Sequence, residues 1–171
     1  MSAETLVKTL NDLACREDRA ALARLRRALD PDGIVGAYRY LHASVEQGDR
    51  LEDVALVAAL FGHNPLHDYS ERTSIGSACA MLARDESEDA AERRFNRLLS
   101  ADRDGLVVDL VGVAKRADRK GIHIDYELLA HHIRDWASDD RHVQLAWAKD
   151  YYGHDSKSKK KADTNAKEGK Q

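Results

Sequence analysis

The sequence predicts an all-α protein: a two-lobed helical bundle of about nine helices, with no sheet. Three observations predict it. Apolar residues recur at steps of three and four through most of the chain. No segment alternates apolar and polar residues over strand length. Ala, Leu, Arg, Glu and Asp are abundant, while only two prolines and ten glycines interrupt 171 residues, a composition that favours helix.

The first helix carries Leu6, Leu10 and Leu13. The second carries Leu22, Leu25 and Leu29 and stops before Pro31, where Asp30-Pro31-Asp32-Gly33 is turn chemistry. The third carries Ile34, Tyr38, Leu41 and Val45 and ends at Gly48. The fourth, from Leu51 to Phe61, is apolar almost all round, which predicts the buried centre of its lobe, capped by Gly62. Residues 62–73 read as the longest loop, so the lobes are drawn at 1–70 and 71–152. A fifth helix carries Ile75, Ala78, Cys79 and Leu82. The acidic link Asp85 to Asp89 follows, with Ser87 as N-cap and acids suited to the next helix start. In the sixth helix Ala91, Phe95, Leu98 and Leu99 form the apolar stripe. The seventh, capped by Asp102, carries Leu106, Leu110, Val113 and Ala117 and ends at Gly121. The eighth, capped by Asp125, carries Leu129, Ile133 and Trp136. The ninth carries Val143, Trp147 and Tyr151. The pattern dies at Gly153, and 153–171 reads as a disordered, lysine-rich tail.

Composition narrows the function classes. The longest apolar run, Val54 to Phe61, is far short of the roughly 20 residues a membrane-spanning helix needs, and the N-terminus lacks the apolar core of a secretory signal. A cytoplasmic protein without membrane contact is expected. Cys15 and Cys79 make neither a metal-type spacing nor a disulfide framework. Formal net charge is -3, but residues 157–171 hold six lysines against two acids, leaving 21 basic and 28 acidic side chains elsewhere. A mildly acidic chain still binds phosphate when its bases share a face.

The basic side chains fall into groups. Arg93 and Arg97 stand four apart, so their like charges meet on the helix surface; Arg94 lies between them, and Asp89 and Glu92 are the local acids that offer neutralisation. Around the second helix lie Arg16, Arg19, Arg24, Arg26 and Arg27, with Arg16, Arg19 and Arg27 on one flank. Lys115, Arg116, Arg119 and Lys120 close the seventh helix, where cations also suit the helix dipole. Arg141 opens the ninth helix and Arg50 precedes the fourth, both against the dipole; Asp139 and Asp140 are placed to offset Arg141. Arginine's planar fork pairs with phosphate in bidentate fashion. No glycine-rich phosphate loop is present.

Histidines offer an alternative in another class. His63, His67 and Asp68 stand within six residues, and His131 and His132 precede Asp135. A metal-dependent, all-helical phosphohydrolase uses such ligands, although Pro65 spoils helical pairing of the first two. Trp136, Trp147, Tyr151 and Tyr152 sit on apolar faces and read as core rather than as a stacking platform for bases.

Taken in order, these features resemble the small subunit (CasB family) of the type I-E CRISPR effector complex, Cascade. The resemblance rests on Leu25-Arg26-Arg27-Ala28-Leu29, on Glu92-Arg93-Arg94-Phe95 through Leu98-Leu99 and Ala101-Asp102-Arg103, on Ile124-Asp125-Tyr126 with Leu129 and Trp136, and on Val143-Gln144-Leu145-Ala146-Trp147-Ala148-Lys149-Asp150-Tyr151-Tyr152. It spans roughly residues 16–152. It implies an all-α, two-lobed fold without catalytic activity, metal or obligatory cofactor. It implies two copies, head to tail, along the backbone of the crRNA-containing complex, beside its backbone and large subunits. The implied role is R-loop stabilisation through contact with single- and double-stranded DNA. The arginines it matches are Arg26, Arg27, Arg94, Arg97 and Arg141, joined by Arg50, Arg93, Arg116 and Arg119. The family's Leu-Gly-Arg in the fifth helix is here Ile75-Gly76-Ser77, which removes one basic contact.

Overall fold

A computed structural model describes residues 1–65 and 72–153. Among these residues the chain is helical apart from its connections and one minimal parallel ladder. Helix α1 (Ala3–Cys15) is capped by the Ser2 hydroxyl and buries Leu6, Val7, Leu10 and Ala14. Glu17 then adopts a left-handed conformation (φ 52°) that stops the helix. Helix α2 (Arg19–Arg26) starts afresh, with Asp18 accepting from the Ala21 amide at 2.9 Å. Arg16 therefore caps the C-terminus of α1 and does not share a flank of α2.

Helix α2 also ends sooner than its leucine spacing predicts. Pro31 opens α3 (Pro31–Leu41), and a residue before proline is driven out of the helical region; Asp30 is extended, with ψ 145°. The chain tightens through Ala28 N–H to the Leu25 carbonyl, and Leu29 swings out to 36% exposure. A 3-10 turn, His42–Ser44, follows α3.

Helix α4 (Leu51–His63) buries every residue from Asp53 to Gly62. The remaining elements are arranged around it. Gly62 is not its cap. It lies inside the helix, where a Cβ would sit 3.0 Å from the Arg26 nitrogen and 3.1 Å from the Leu22 carbonyl oxygen, so its absence lets α2 approach. Asn64 is the C-cap: its amide donates to the Leu60 carbonyl, and its side chain donates to the Ile122 carbonyl at 3.0 Å. The buried Tyr126 hydroxyl lies 3.1 Å from the Leu60 carbonyl oxygen and 3.0 Å from that of Asn64.

The 70/71 lobe boundary lies outside the described residues. On its far side come α5 (Ile75–Ala83), α6 (Glu88–Ser100), α7 (Arg103–Arg119), α8 (Tyr126–Arg134) and α9 (residues 142–153). Asp102 and Asp125 cap α7 and α8 as predicted, accepting from the Gly105 and Leu128 amides at 2.9 and 3.0 Å. Ser87 is the N-cap residue of α6, though its hydroxyl makes no capping bond. The expectation of no sheet is corrected in one detail: β1 (Arg72–Thr73) pairs in parallel with β2 (His123–Ile124), Arg72 opposite His123 and Thr73 opposite Ile124. Two residues are too few for alternation to register in sequence.

One continuous apolar core runs from Met1 to Tyr151. Trp147, Tyr126 and Phe61 are its largest fully buried side chains. Trp136 and Trp147 pack with ring centroids 5.0 Å apart, and Trp147 donates to His132 Nδ1 at 2.9 Å; these two and Tyr151 are core, whereas Tyr152, expected with them, is 47% exposed. Burial pushes the His132 pKa down, consistent with the neutral acceptor.

Helices α5 and α9 meet at Gly76, where a Cβ would lie 2.3 Å from the Trp147 carbonyl oxygen, a backbone atom that cannot yield. Gly36 on α3 has nothing within 4 Å of the same position. Gly76→Ala will therefore destabilise by about 1–3 kcal/mol through overpacking, despite alanine's better helix propensity. Gly36→Ala will stabilise by about 0.5–1 kcal/mol. Thermal unfolding of the two variants checks this; melting points that move in the same direction would refute the close α5–α9 approach.

Candidate nucleic-acid interface

The α6–α7 hairpin gathers five of the nine candidate arginines. The short Ala101-Asp102 connection folds α7 back beside α6. Phe95 and Leu98 pin α6 to the core, which leaves its arginines outward. Arg97 reaches across to Asp109 of α7: its Nε donates to both carboxylate oxygens at 3.1 Å, and Nη2 donates to Oδ1 at 2.5 Å. The Asp109 side chain is 8% exposed and that of Arg97 67%. This pairing raises the Arg97 pKa above its ordinary value. Arg94 and Arg116 share one acid, donating to the two oxygens of Glu86. Lys120 pairs with Asp85 at 2.6 Å. The Lys120–Asp85 pair is exposed at both ends and adds little to stability, whereas Asp109 and Glu86 are more enclosed. Arg93 and Arg119, also on the hairpin, are exposed, and no hydrogen bond or ion pair engages their guanidiniums among the described residues.

Between α5, α6 and α7 lies a cavity of ≈ 370 Å³ whose rim carries Arg94, Arg97 and Arg116. Phe95 and Tyr151 form part of its floor, stacked with ring centroids 4.0 Å apart and 10° between planes. Cys79 also lines it; burial pushes that thiol up to about 12, so it stays protonated near neutral pH. Gly112 is on the α7 wall, and nothing lies within 4 Å of where its Cβ would be.

The other candidates are spread. Arg26 donates from Nε to the Gly62 carbonyl at 2.5 Å, satisfying the last turn of α4. His63, next in sequence after Gly62, has its pKa lowered by burial and by the Lys115 and Arg26 cations. Arg27 is exposed at the α2 C-cap. Arg50 is at the opposite end of α4, about 20 Å away by helical rise, 4.0 Å from the Asp53 carboxylate. Arg141 adopts φ 53° immediately before α9 and donates to the Leu99 carbonyl at 2.6 Å. Its cation therefore serves the C-terminal end of α6, where the dipole favours it, which answers the unfavourable placement read from its own helix.

Two partners escape sequence reasoning. Asp109 is twelve residues from Arg97, and Glu86 is thirty from Arg116, beyond any local spacing rule. Asp89 and Glu92, the acids nearest in sequence, do not form ion pairs with Arg93 among the described residues; Glu92 accepts from the Tyr152 hydroxyl at 3.1 Å. Arg103 serves the fold instead, donating to the Ile133 carbonyl at 2.9 Å and to Asp53. His67 and Asp68 lie outside the described residues. Asp135 pairs with Arg134 at 3.0 Å, and among the described residues no three His, Cys, Asp or Glu side chains converge as metal ligands. No described helix is long and apolar enough to cross a membrane.

Comparison with known proteins agrees with this architecture. Residues 21–152 match the family model of the CRISPR-associated protein Cse2. The Cse2 protein of Thermus thermophilus is 31% identical over 140 residues, covering 78% of this chain and 79% of its own. The crystal structure of a Cse2-family protein from the same organism superposes with a TM-score of 0.73 at 30% identity, over 90% of this chain and 99% of that one. A chain of a CRISPR RNA-guided surveillance complex superposes with a TM-score of 0.76 at 25% identity, over 94% and 97%. With its family model matched along most of its length and its fold shared with these proteins, the chain belongs to the Cse2 (CasB) family of CRISPR-associated proteins.

Proposed function

We propose that this protein is a non-catalytic small subunit of a type I-E CRISPR RNA-guided surveillance complex. Two copies lie along the crRNA-bound backbone, and their arginines hold the displaced DNA strand and so stabilise the R-loop. Family membership over residues 21–152, joined to the likeness to a surveillance-complex chain, is the observation that carries this reading. The surface supports it: Arg27, Arg93 and Arg119 are exposed cations without an internal partner among the described residues. In such complexes base pairing reads the sequence, and protein charge holds strands through their phosphates without regard to base. The four arginines already engaged by Glu86, Asp109 and Gly62 predict weak contact by the isolated subunit, reinforced in the complex by a second copy and by neighbouring subunits.

The test is fluorescence anisotropy with a labelled single DNA strand of about 40 nucleotides, at low and moderate salt. Binding will weaken as salt rises. Arg93→Ala/Arg119→Ala will weaken it further and flatten the salt dependence, by about 0.7 in log K against log salt for each phosphate that no longer meets an arginine. Absence of binding at low salt, or binding indifferent to these arginines, would contradict a strand-holding role for the hairpin.

A further inference from the structure

The groove between α6 and α7 has three properties with a single explanation. Its rim is cationic, yet each rim arginine is occupied by a carboxylate of the same chain: Arg97 by Asp109, Arg94 and Arg116 by Glu86. The fork between Arg97 and Asp109, Nε donating to Oδ2 and Nη2 to Oδ1, is the geometry a phosphate would make. The Arg97 side chain remains 67% exposed while its acid is nearly buried, so an anion arriving from solvent meets the guanidinium first. Finally, Gly112 stands on the α7 stripe between Asp109 and Arg116, bare and without a packing partner. Glycine lowers helix stability and, lacking a Cβ, leaves the backbone open to close approach.

We infer that this groove seats the phosphates of the displaced strand, and that Glu86 and Asp109 are stand-in anions that compete with the strand for Arg94, Arg97 and Arg116. The inference rests on the strand-holding reading and sharpens it to one site. The two carboxylates keep contact weak and releasable: each phosphate that binds must displace or share an arginine with an internal acid. Gly112 leaves the room for the sugar-phosphate backbone to pass.

The experiment uses the full chain and the same labelled DNA strand. Glu86→Gln/Asp109→Asn keeps the side-chain shapes and removes both charges. Glu4→Gln/Asp12→Asn, on exposed positions of α1, removes the same charge elsewhere. The first pair will tighten binding roughly threefold or more beyond the control pair, and will steepen the dependence of log K on log salt by about 0.7 for each arginine released. Gly112→Gln, a good helix former that fills the bare stretch, will loosen binding while its melting temperature stays at or above that of the wild type. If Glu86→Gln/Asp109→Asn gains no more than the control, or binds more weakly, the carboxylates are supports and not competitors, and the inference falls. If Gly112→Gln binds as the wild type does, the seat lies elsewhere and the inference falls too. In either case weaker binding by Arg93→Ala/Arg119→Ala would leave the strand-holding reading standing; absence of binding in every form would remove both.

Discussion

The structure depends on covering α4. A helix apolar round its whole circumference has no face to give to water, and each of its ten residues from Asp53 to Gly62 is buried. Most of the other helices are amphipathic and supply one apolar stripe, with most of their charges outward; α5 carries no charge at all. Both ends of α4 are fastened by polar contacts. At the N-terminal end Asp53 meets Arg103, which also holds the last turn of α8 through Ile133. At the C-terminal end Asn64 joins the Ile122 carbonyl and the Tyr126 hydroxyl. Because Arg103 opens α7 and Ile122 follows its end, these two fastenings bracket α7 against α4. They thereby fix where the α6–α7 hairpin presents its arginines.

The charge distribution follows from the same constraint. Outside its lysine-rich end the chain carries more acids than bases, yet the hairpin surface interleaves the two signs. Where both members of such a pair are exposed, the pair adds little to stability. The effect of these pairs is on what the surface can bind: an arginine already facing a carboxylate exchanges one anion for another and gains only the difference. Arg93, Arg119 and Arg27 lack such competitors among the described residues and offer their full charge.

Much of the fold was legible in the sequence because helix period, caps and burial are local signals. Asp102 and Asp125 cap where their spacing predicts, and Trp147 and Tyr151 fall on the buried stripe of the last helix. What was not legible depends on contacts between distant segments. Gly62 looks like a terminator but is an approach point for α2. Leu29 fits the α2 stripe but is displaced by the demands of Pro31. Arg16 is separated from α2 by a left-handed Glu17. The arginine types and helices of the candidate site were readable; their partners were not, since Asp109 and Glu86 become neighbours only after α5, α6 and α7 pack.

In the assembly we propose, the α6–α7 hairpin faces the displaced strand. A photoreactive residue in place of Asn96, exposed on α6, with a second in place of Val35, 75% exposed on α3, tests it directly in a reconstituted surveillance complex bound to its DNA target. Crosslinks from position 96 to the non-target strand, with none from position 35, are the predicted result. Crosslinks from position 96 to protein alone, or to the target strand alone, would contradict that placement.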